Sequence, residues 1–376
     1  MDSNWKLVDL FLPKYTFEEI KIGIVNGIIS NFNENNKFRN GGIETFLEEG
    51  GYYNYLHGIS GILYSLKLTD SLPSQIDDWI EEKFKNIQNN NMGKGLLDGK
   101  TGIACVVYQL GHKDLALNII KEINNDIDKL DYDITLKSGL SGIGLGEIAF
   151  YKWTNDETFL NQAYKIGDKI MEILYESDDE KSYDLLDGIA GVSCFYSILY
   201  DITNDYEYFK ISKMLLKESM MNLVSTENLE ICELKSANKI TPYIDKGSIG
   251  ILLAIYLLNS VSDSVFFADE QKKIENISKL SPFYNAGLLE GAGSGIIISH
   301  ADKKSKKFVS ELLSLYLYKD GDNLYVPGDF SLKFSNDIDS GAVGILIALE
   351  AMEQENPLLL LPIFTIKKIR RKRCNV

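Results

Sequence analysis

The sequence predicts an all-α protein: an α/α toroid, or double-layer barrel, of seven helix-pair repeats. Two observations carry that prediction. A Gly-x-x-Gly frame followed by an apolar run recurs along the chain, and internal repetition on a 40–60-residue period is the mark of a repeat architecture. Between successive frames lies room for one more helix, and those stretches are amphipathic.

The frames read His57-Gly58-Ile-Ser-Gly61, Asp98-Gly99-Lys-Thr-Gly102, Ser138-Gly139-Leu-Ser-Gly142 and Asp187-Gly188-Ile-Ala-Gly191. Lys246-Gly247-Ser-Ile-Gly250 and Ser340-Gly341-Ala-Val-Gly344 follow, with an irregular sixth copy, Glu290-Gly291-Ala-Gly293-Ser-Gly295, between them. That copy reads as a frame with one extra residue. Leading glycines are 41, 40, 49, 59, 44 and 50 residues apart. The helices behind them are apolar on nearly every side, which predicts burial on both faces. The intervening amphipathic helices are expected over 17–32, 75–87, 114–123, 159–175, 208–223, 265–280 and 306–318. One buried and one amphipathic helix per repeat makes concentric layers, and a closed ring of seven leaves no end repeat to cap. The seven prolines fall in linkers. One domain over residues 1–376 is the expectation.

Composition narrows the function classes. Hydrophobic residues make up 45% of the 376 and charged residues 25%, with a formal net charge of −15. That balance argues against nucleic acid, which requires clustered Lys and Arg on one face. The exception is the tail from Lys367 to Arg373, either a solvated terminus or a docking site for an acidic peptide or a membrane surface. The first residues lack a basic segment followed by an apolar stretch, and no apolar run reaches the roughly 20 residues of a membrane span. Cys105, Cys194, Cys232 and Cys374 form no CxxC pair and read as free thiols of a reducing cytoplasm.

The glycines themselves are explained by close helix approach. The polar residues before them are different. His57, Asp98, Ser138, Asp187, Lys246, Glu290 and Ser340 sit in phase at helix starts, where free N–H groups and the helix dipole would face a central opening. N-capping explains Asp98, Ser138, Asp187 and Ser340 equally well. It explains neither His57 nor Lys246.

Seven copies in phase, from about Phe17 to Leu361, resemble the lanthionine synthetase C-like (LanC-like) family, whose fold is an α/α toroid. Tyr325-Val326-Pro327-Gly328-Asp329, then Asp337-Ile338-Asp339-Ser340-Gly341, is similar to the PGD segment and last repeat of class III lanthipeptide synthetases. Thr241-Pro242-Tyr243 resembles the same subgroup. The resemblance implies a counterpart of the carboxy-terminal domain of a lyase-kinase-cyclase synthetase, with lyase and kinase domains as partners. Zinc-dependent members carry cysteine two residues before the fifth leading glycine and Cys-His directly before the sixth. Those positions here are Asp245, Leu289 and Glu290, so neither metal nor other cofactor is expected.

The implied substrate is a dehydrated ribosomal precursor peptide. A cysteine sulfur adds to dehydroalanine or dehydrobutyrine and closes a thioether ring of lanthionine or labionin type. A thiol with an ordinary pKa near about 8.5 must lose its proton, the enolate must be stabilised, and a proton must return to the α-carbon. His57, Asp187 and Tyr243 are the catalytic candidates, with His57 as base or else as a packed helix-start histidine. Asp98, Asp245, Lys246, Glu290 and Ser340 are candidates for substrate binding, and Asp245 and Glu290 also for proton return. His112 and His300 fall outside the repeat starts and read as surface residues. The second reading is a non-catalytic module that binds the modified peptide or its leader. A third, from fold analogy with other α/α barrels, is glycosidase chemistry on Asp187 and Glu290.

Overall fold

The computed structural model describes residues 14–35, 38, 50–87, 91–126, 133–176, 182–226, 231–236, 239–279, 283, 285–328 and 333–363. Asp329, Cys374 and the basic tail at 367–373 lie outside them, as does the side chain of Cys232.

The seven glycine-led helices form where the frames predict them. They are α2 (Ile59–Leu68), α4 (Lys100–Gln109), α6 (Leu140–Thr154), α8 (Ile189–Thr203), α10 (Ser248–Ser260), α12 (Ala292–Ile297) and α14 (Ala342–Glu353). Their partners are α1 (Phe17–Asn35), α3 (Ile76–Phe84), α5 (Lys113–Asp126), α7 (Glu157–Glu176), α9 (Tyr206–Met220), α11 (Ala268–Glu275) and α13 (Lys303–Leu313). The inner helices are buried nearly throughout; the outer ones bury a single face, such as Phe159, Ala163, Ile166 and Ile170 of α7. The expected outer spans 208–223 and 265–280 run past the true ends at Met220 and Glu275. Two antiparallel sheets were not foreseen. Strands β1 (Leu223–Thr226), β2 (Ile231–Ser236) and β3 (Lys239–Thr241) fill the longest interval, and β4 (Tyr318–Asp320) with β5 (Asn323–Tyr325) fills the last.

The glycine frames have a backbone cause. In each repeat the chain folds back so that the first or second helical N–H donates to a carbonyl seven residues upstream. Ile59 N–H reaches Tyr52 O at 2.9 Å, Leu140 reaches Asp133 at 2.9 Å, and Ala342 reaches Ser335 at 2.9 Å. A Cβ on the trailing glycine would lie 2.0 Å from the Leu96 carbonyl at Gly102 and 2.1 Å from the Leu136 carbonyl at Gly142. The sixth copy contains no insertion: Ser294 stands where the trailing glycine belongs. Its hydroxyl turns the collision into a bond, donating to Leu288 O at 2.6 Å.

Those loops join into a belt around one end of the ring. Leu56 N–H donates to Leu97 O (2.8 Å), Leu97 to Lys137 (3.0 Å) and Lys137 to Leu186 (3.0 Å). After a break, Asp245 donates to Leu289 (3.0 Å), Leu288 to Asp339 (2.8 Å) and Ile338 back to Leu56 (2.9 Å). All seven helix starts therefore converge on one mouth, as the frames predict. Lys21 of α1, paired with Glu350 and Glu353 of α14, ties the first helix to the last.

One buried acid lies between the layers. Glu147 of α6 has no solvent exposure, accepts from Asn124 Nδ2 of α5 at 3.1 Å, and leaves its other oxygen without a partner. Burial raises its pKa from 4.5 to about 8, against the lowering contact with Asn124.

Two predictions follow from this packing. Gly142→Ala puts a methyl group against Leu136 O and Leu96 and should lower unfolding stability by roughly 1–3 kcal/mol, whereas Gly93→Ala, with open space around it, should leave the urea midpoint in place. For Glu147 the folded state holds a proton that the unfolded chain releases, so its contribution is complete below about 4.5 and is lost as pH rises through about 8. Urea titrations from pH 5 to 8 should show Glu147→Gln gaining on the parent by up to about 1.4 kcal/mol per pH unit.

Candidate functional site

The mouth residues sit one place after the belt residues and one before the leading glycine. In all seven inner helices that glycine, not the polar residue, is the N-cap, in extended conformation and without a side-chain cap. The capping reading of Asp98, Ser138, Asp187 and Ser340 is therefore replaced. The reading of freely presented helix N–H groups is corrected too, because the folded-back carbonyls take up the first of them. Side-chain caps occur instead on outer helices, where Asp205 accepts from Glu207 N–H and Asp302 from Lys304 and Ser305 N–H.

What shapes the mouth is a polar residue three places upstream of several mouth residues. Asn54 Oδ1 accepts from His57 N–H (2.8 Å), Asp184 Oδ1 from Asp187 N–H (2.8 Å) and Asp337 Oδ1 from Ser340 N–H (2.7 Å). Each bonds a side chain to the backbone three residues on, and Asp184 Oδ1 also closes an Asx turn on Leu186 N–H. Asp184 and Asp337 are buried, and the sequence reading missed both; their three-residue spacing to the mouth position was the available signal.

The candidates separate by environment. His57 is 5% exposed, and its Nδ1 is buried without a hydrogen-bond partner. Its neighbour Leu56 is latched to Leu97 on one side and Ile338 on the other, so the His57 backbone lies between the second and seventh repeats. Asp98 accepts from Ser138 Oγ across the second seam. Ser340 is buried on Asp337 and lies under Gly328, whose added Cβ would come within 3.3 Å of its Oγ. The second half of the PGD segment falls on Asp329, beyond the described residues.

The fourth, fifth and sixth starts form one electrostatic group. Asp187 has a raised pKa because burial disfavours its charge, opposed by Lys137 and Lys246 and reinforced by Asp184 and Asp133. Asp245 is pushed up to about 6 by burial, with Lys246 lowering and Asp184, Asp187 and Glu290 raising it. Lys246 and Glu290 are exposed. Lys246 adopts φ of +50°, the left-handed region, and its carbonyl accepts from Thr241 Oγ1 at 2.7 Å. Such backbone is uncommon outside glycine and clusters at functional sites. Tyr243 turns elsewhere: its ring lies 6.3 Å from that of Phe283, beside Tyr316.

The positions of the zinc ligands do come together, Asp245 and Leu289 sharing a backbone bond. Their donor set does not fit zinc, since the Leu289 side chain is buried hydrocarbon and no sulfur or imidazole is present there. Among the described residues no group of three or more His, Cys, Asp or Glu side chains is placed to hold a metal. Cys105 and Cys194 are buried in α4 and α8, their thiols pushed up by burial, that of Cys194 to about 12. His112 bridges outer elements, 2.7 Å from Glu81, and His300 is exposed. No helix among the described residues is long and apolar enough to cross a membrane.

Comparison with known proteins agrees with this geometry. A "Probable SapB synthase" of Streptomyces coelicolor is 23% identical over 339 residues, covering 84% of this chain and 36% of that protein. The chain thus spans about a third of the length of that curated relative. Among solved structures, a nisin cyclase superposes with a TM-score of 0.65 at 16% identity, over 90% of this chain and 96% of the other, and so shares the fold. The family described as lanthionine synthetase C-like protein matches residues 90–243 and 130–280. With half of its residues matched and the toroid in place, the chain belongs to the lanthionine synthetase C-like family.

Proposed function

We propose that this protein is a lanthipeptide cyclase of class III type, closing thioether rings in a dehydrated precursor peptide without zinc. The observation that carries the proposal is the mouth itself. In a chain of this family, an imidazole, three carboxylates and an ammonium group are gathered on one rim of the toroid, while the zinc-ligand positions hold Asp, Leu and Glu.

The roles follow from what the reaction needs. His57 takes the proton of the substrate thiol; its buried Nδ1 has no hydrogen-bond partner within the protein. Lys246 offers positive charge to the enolate oxygen. Asp187 and Tyr243 assist proton return, and Asp98, Asp245, Glu290 and Ser340 position the peptide. No cofactor takes part. In a longer synthetase the lyase and kinase domains would deliver the dehydrated peptide, and the reaction belongs to the cytoplasm. A mouth dominated by carboxylates suits a peptide carrying basic residues near its reacting cysteine.

Two measurements test this reading. The parent protein should consume thiol in a dehydrated precursor faster than the peptide alone, measured by alkylation and mass spectrometry from pH 6 to 9. His57→Gln should slow that rate by ~10²-fold or more, the scale of general base catalysis. A parent rate equal to the uncatalysed rate would make the domain a binding module instead. Separately, elemental analysis of protein purified without chelators should find zinc far below one equivalent; stoichiometric zinc surviving dialysis, and retained when Cys105 and Cys194 are replaced, would overturn the zinc-free mechanism.

A further inference from the structure

The belt that ties the mouth together is interrupted once. Six seams carry a backbone hydrogen bond between neighbouring repeats; between the fourth and fifth, among the described residues, none links Leu186 to Asp245. The Leu186 N–H donates instead to Asp184 Oδ1 at 2.9 Å, within its own turn. The two repeats still touch below the rim, where an added Cβ on Gly250 would lie 2.9 Å from Leu185 Cβ. The break is therefore local to the rim. It coincides with the left-handed Lys246 and with the end of the inserted sheet, since Thr241 closes β3 and also holds the Lys246 carbonyl.

Asp245 lies at that break. Its N–H is fixed to Leu289 O, which sets the backbone, while its Oδ1 is buried and without a hydrogen-bond partner. The other candidates for proton return are placed differently. Tyr243 packs toward Phe283 and Tyr316, and Glu290 is exposed. The Asp187 backbone is held in the Asp184 turn on the far side of the seam.

We propose that Asp245 is a catalytic acid of the ring-closing reaction, delivering the proton to the α-carbon of the former dehydroamino acid at the open seam. This rests on the cyclase reading above, and it moves the final proton delivery from Asp187 and Tyr243 to Asp245, beyond the positioning role given there. The substrate thiolate attacks the β-carbon, so a C–S bond forms and the alkene π pair moves into an enolate. The Asp245 O–H bond then breaks, a C–H bond forms at the α-carbon, and Asp245 is left as carboxylate. The proton that His57 took from the thiol restores it through solvent, so the thiol hydrogen is balanced by the new α-hydrogen. The charged groups facing Asp245 are Lys246, Asp184, Asp187 and Glu290, and their balance with burial keeps a protonated fraction near neutral pH. Lys246 stands beside the developing enolate as its counter-charge.

Protonation of the α-carbon creates a stereocentre, which gives a readout that binding alone does not move. With a dehydrated precursor peptide, the parent should close rings faster than the peptide alone and give one α-carbon configuration. Asp245→Asn should slow closure by about 10²-fold and shift the epimer ratio toward that of the uncatalysed reaction. Asp245→Glu, which keeps an acid on a longer arm, should recover part of both; it also serves if the Asn variant fails to unfold cooperatively. An Asn variant with the parent rate, or a slower one with the parent epimer ratio, overturns the catalytic role while leaving the cyclase reading intact. A parent no faster than the peptide alone removes the cyclase reading itself.

Discussion

The structure depends on one repeated close approach: a helix start pressed against the carbonyl of its own incoming loop. The residue three before each leading glycine, from Tyr55 and Leu96 to Leu288 and Ile338, is fully or almost fully buried. Its carbonyl lies where a Cβ on the trailing glycine would go, and its side chain packs on the trailing glycine of the next repeat. Leu96 does so at Gly142, Leu136 at Gly191 and Leu185 at Gly250. Each repeat is thus held both by its own glycine and by its neighbour's loop. The belt of backbone bonds is a consequence: once the loops lie this close, their N–H and C=O groups must pair with one another or remain buried unsatisfied.

Much of this was legible in the sequence because it is periodic. Seven frames in phase predicted the inner helices, the ring and the shared mouth, and the apolar periodicity between them located the outer helices. What could not be read was anything that depends on residues brought together from different repeats. Asp98 and Ser138 are forty residues apart, and nothing local announces their hydrogen bond. The capping reading failed for a related reason: the helix N–H groups are satisfied by backbone seven residues upstream. Ser294 looked like part of an insertion because the frame was searched for glycine, whereas the position requires only that the Leu288 carbonyl be relieved. The short sheets escaped because their strands are brief and lie in loops that the repeat does not specify.

The mouth varies in side-chain chemistry because its residues are exempt from these constraints. A belt residue contributes its backbone to the seam and the residue three before the glycine contributes packing. The residue between the belt and the glycine does neither, so its side chain is free to vary from His57 to Lys246 to Ser340. That freedom does not make all seven equivalent. Ser340 is engaged by buried Asp337 and Asp98 by Ser138, which gives both a place in the wall. His57 and the group around Asp187, Asp245 and Lys246 retain atoms or charge not fully compensated within the protein.

The position of the open seam follows from the same logic. A single backbone hydrogen bond contributes about 0.5–1.5 kcal/mol net, so a ring latched at six seams and packed below the rim at the seventh tolerates losing one. Asp245 occupies the place that Leu56, Leu97, Lys137, Leu186, Leu289 and Asp339 hold elsewhere in the belt. Asp245 is mostly buried there, and Lys246 offsets part of the burial cost of its charge. The fold thus places one buried, unpaired carboxylate oxygen where the belt is broken, beside an inserted sheet that lengthens this repeat to 59 residues. Polar side chains and structural latches share one rim without competing, because the rim is periodic in backbone and aperiodic in side chain.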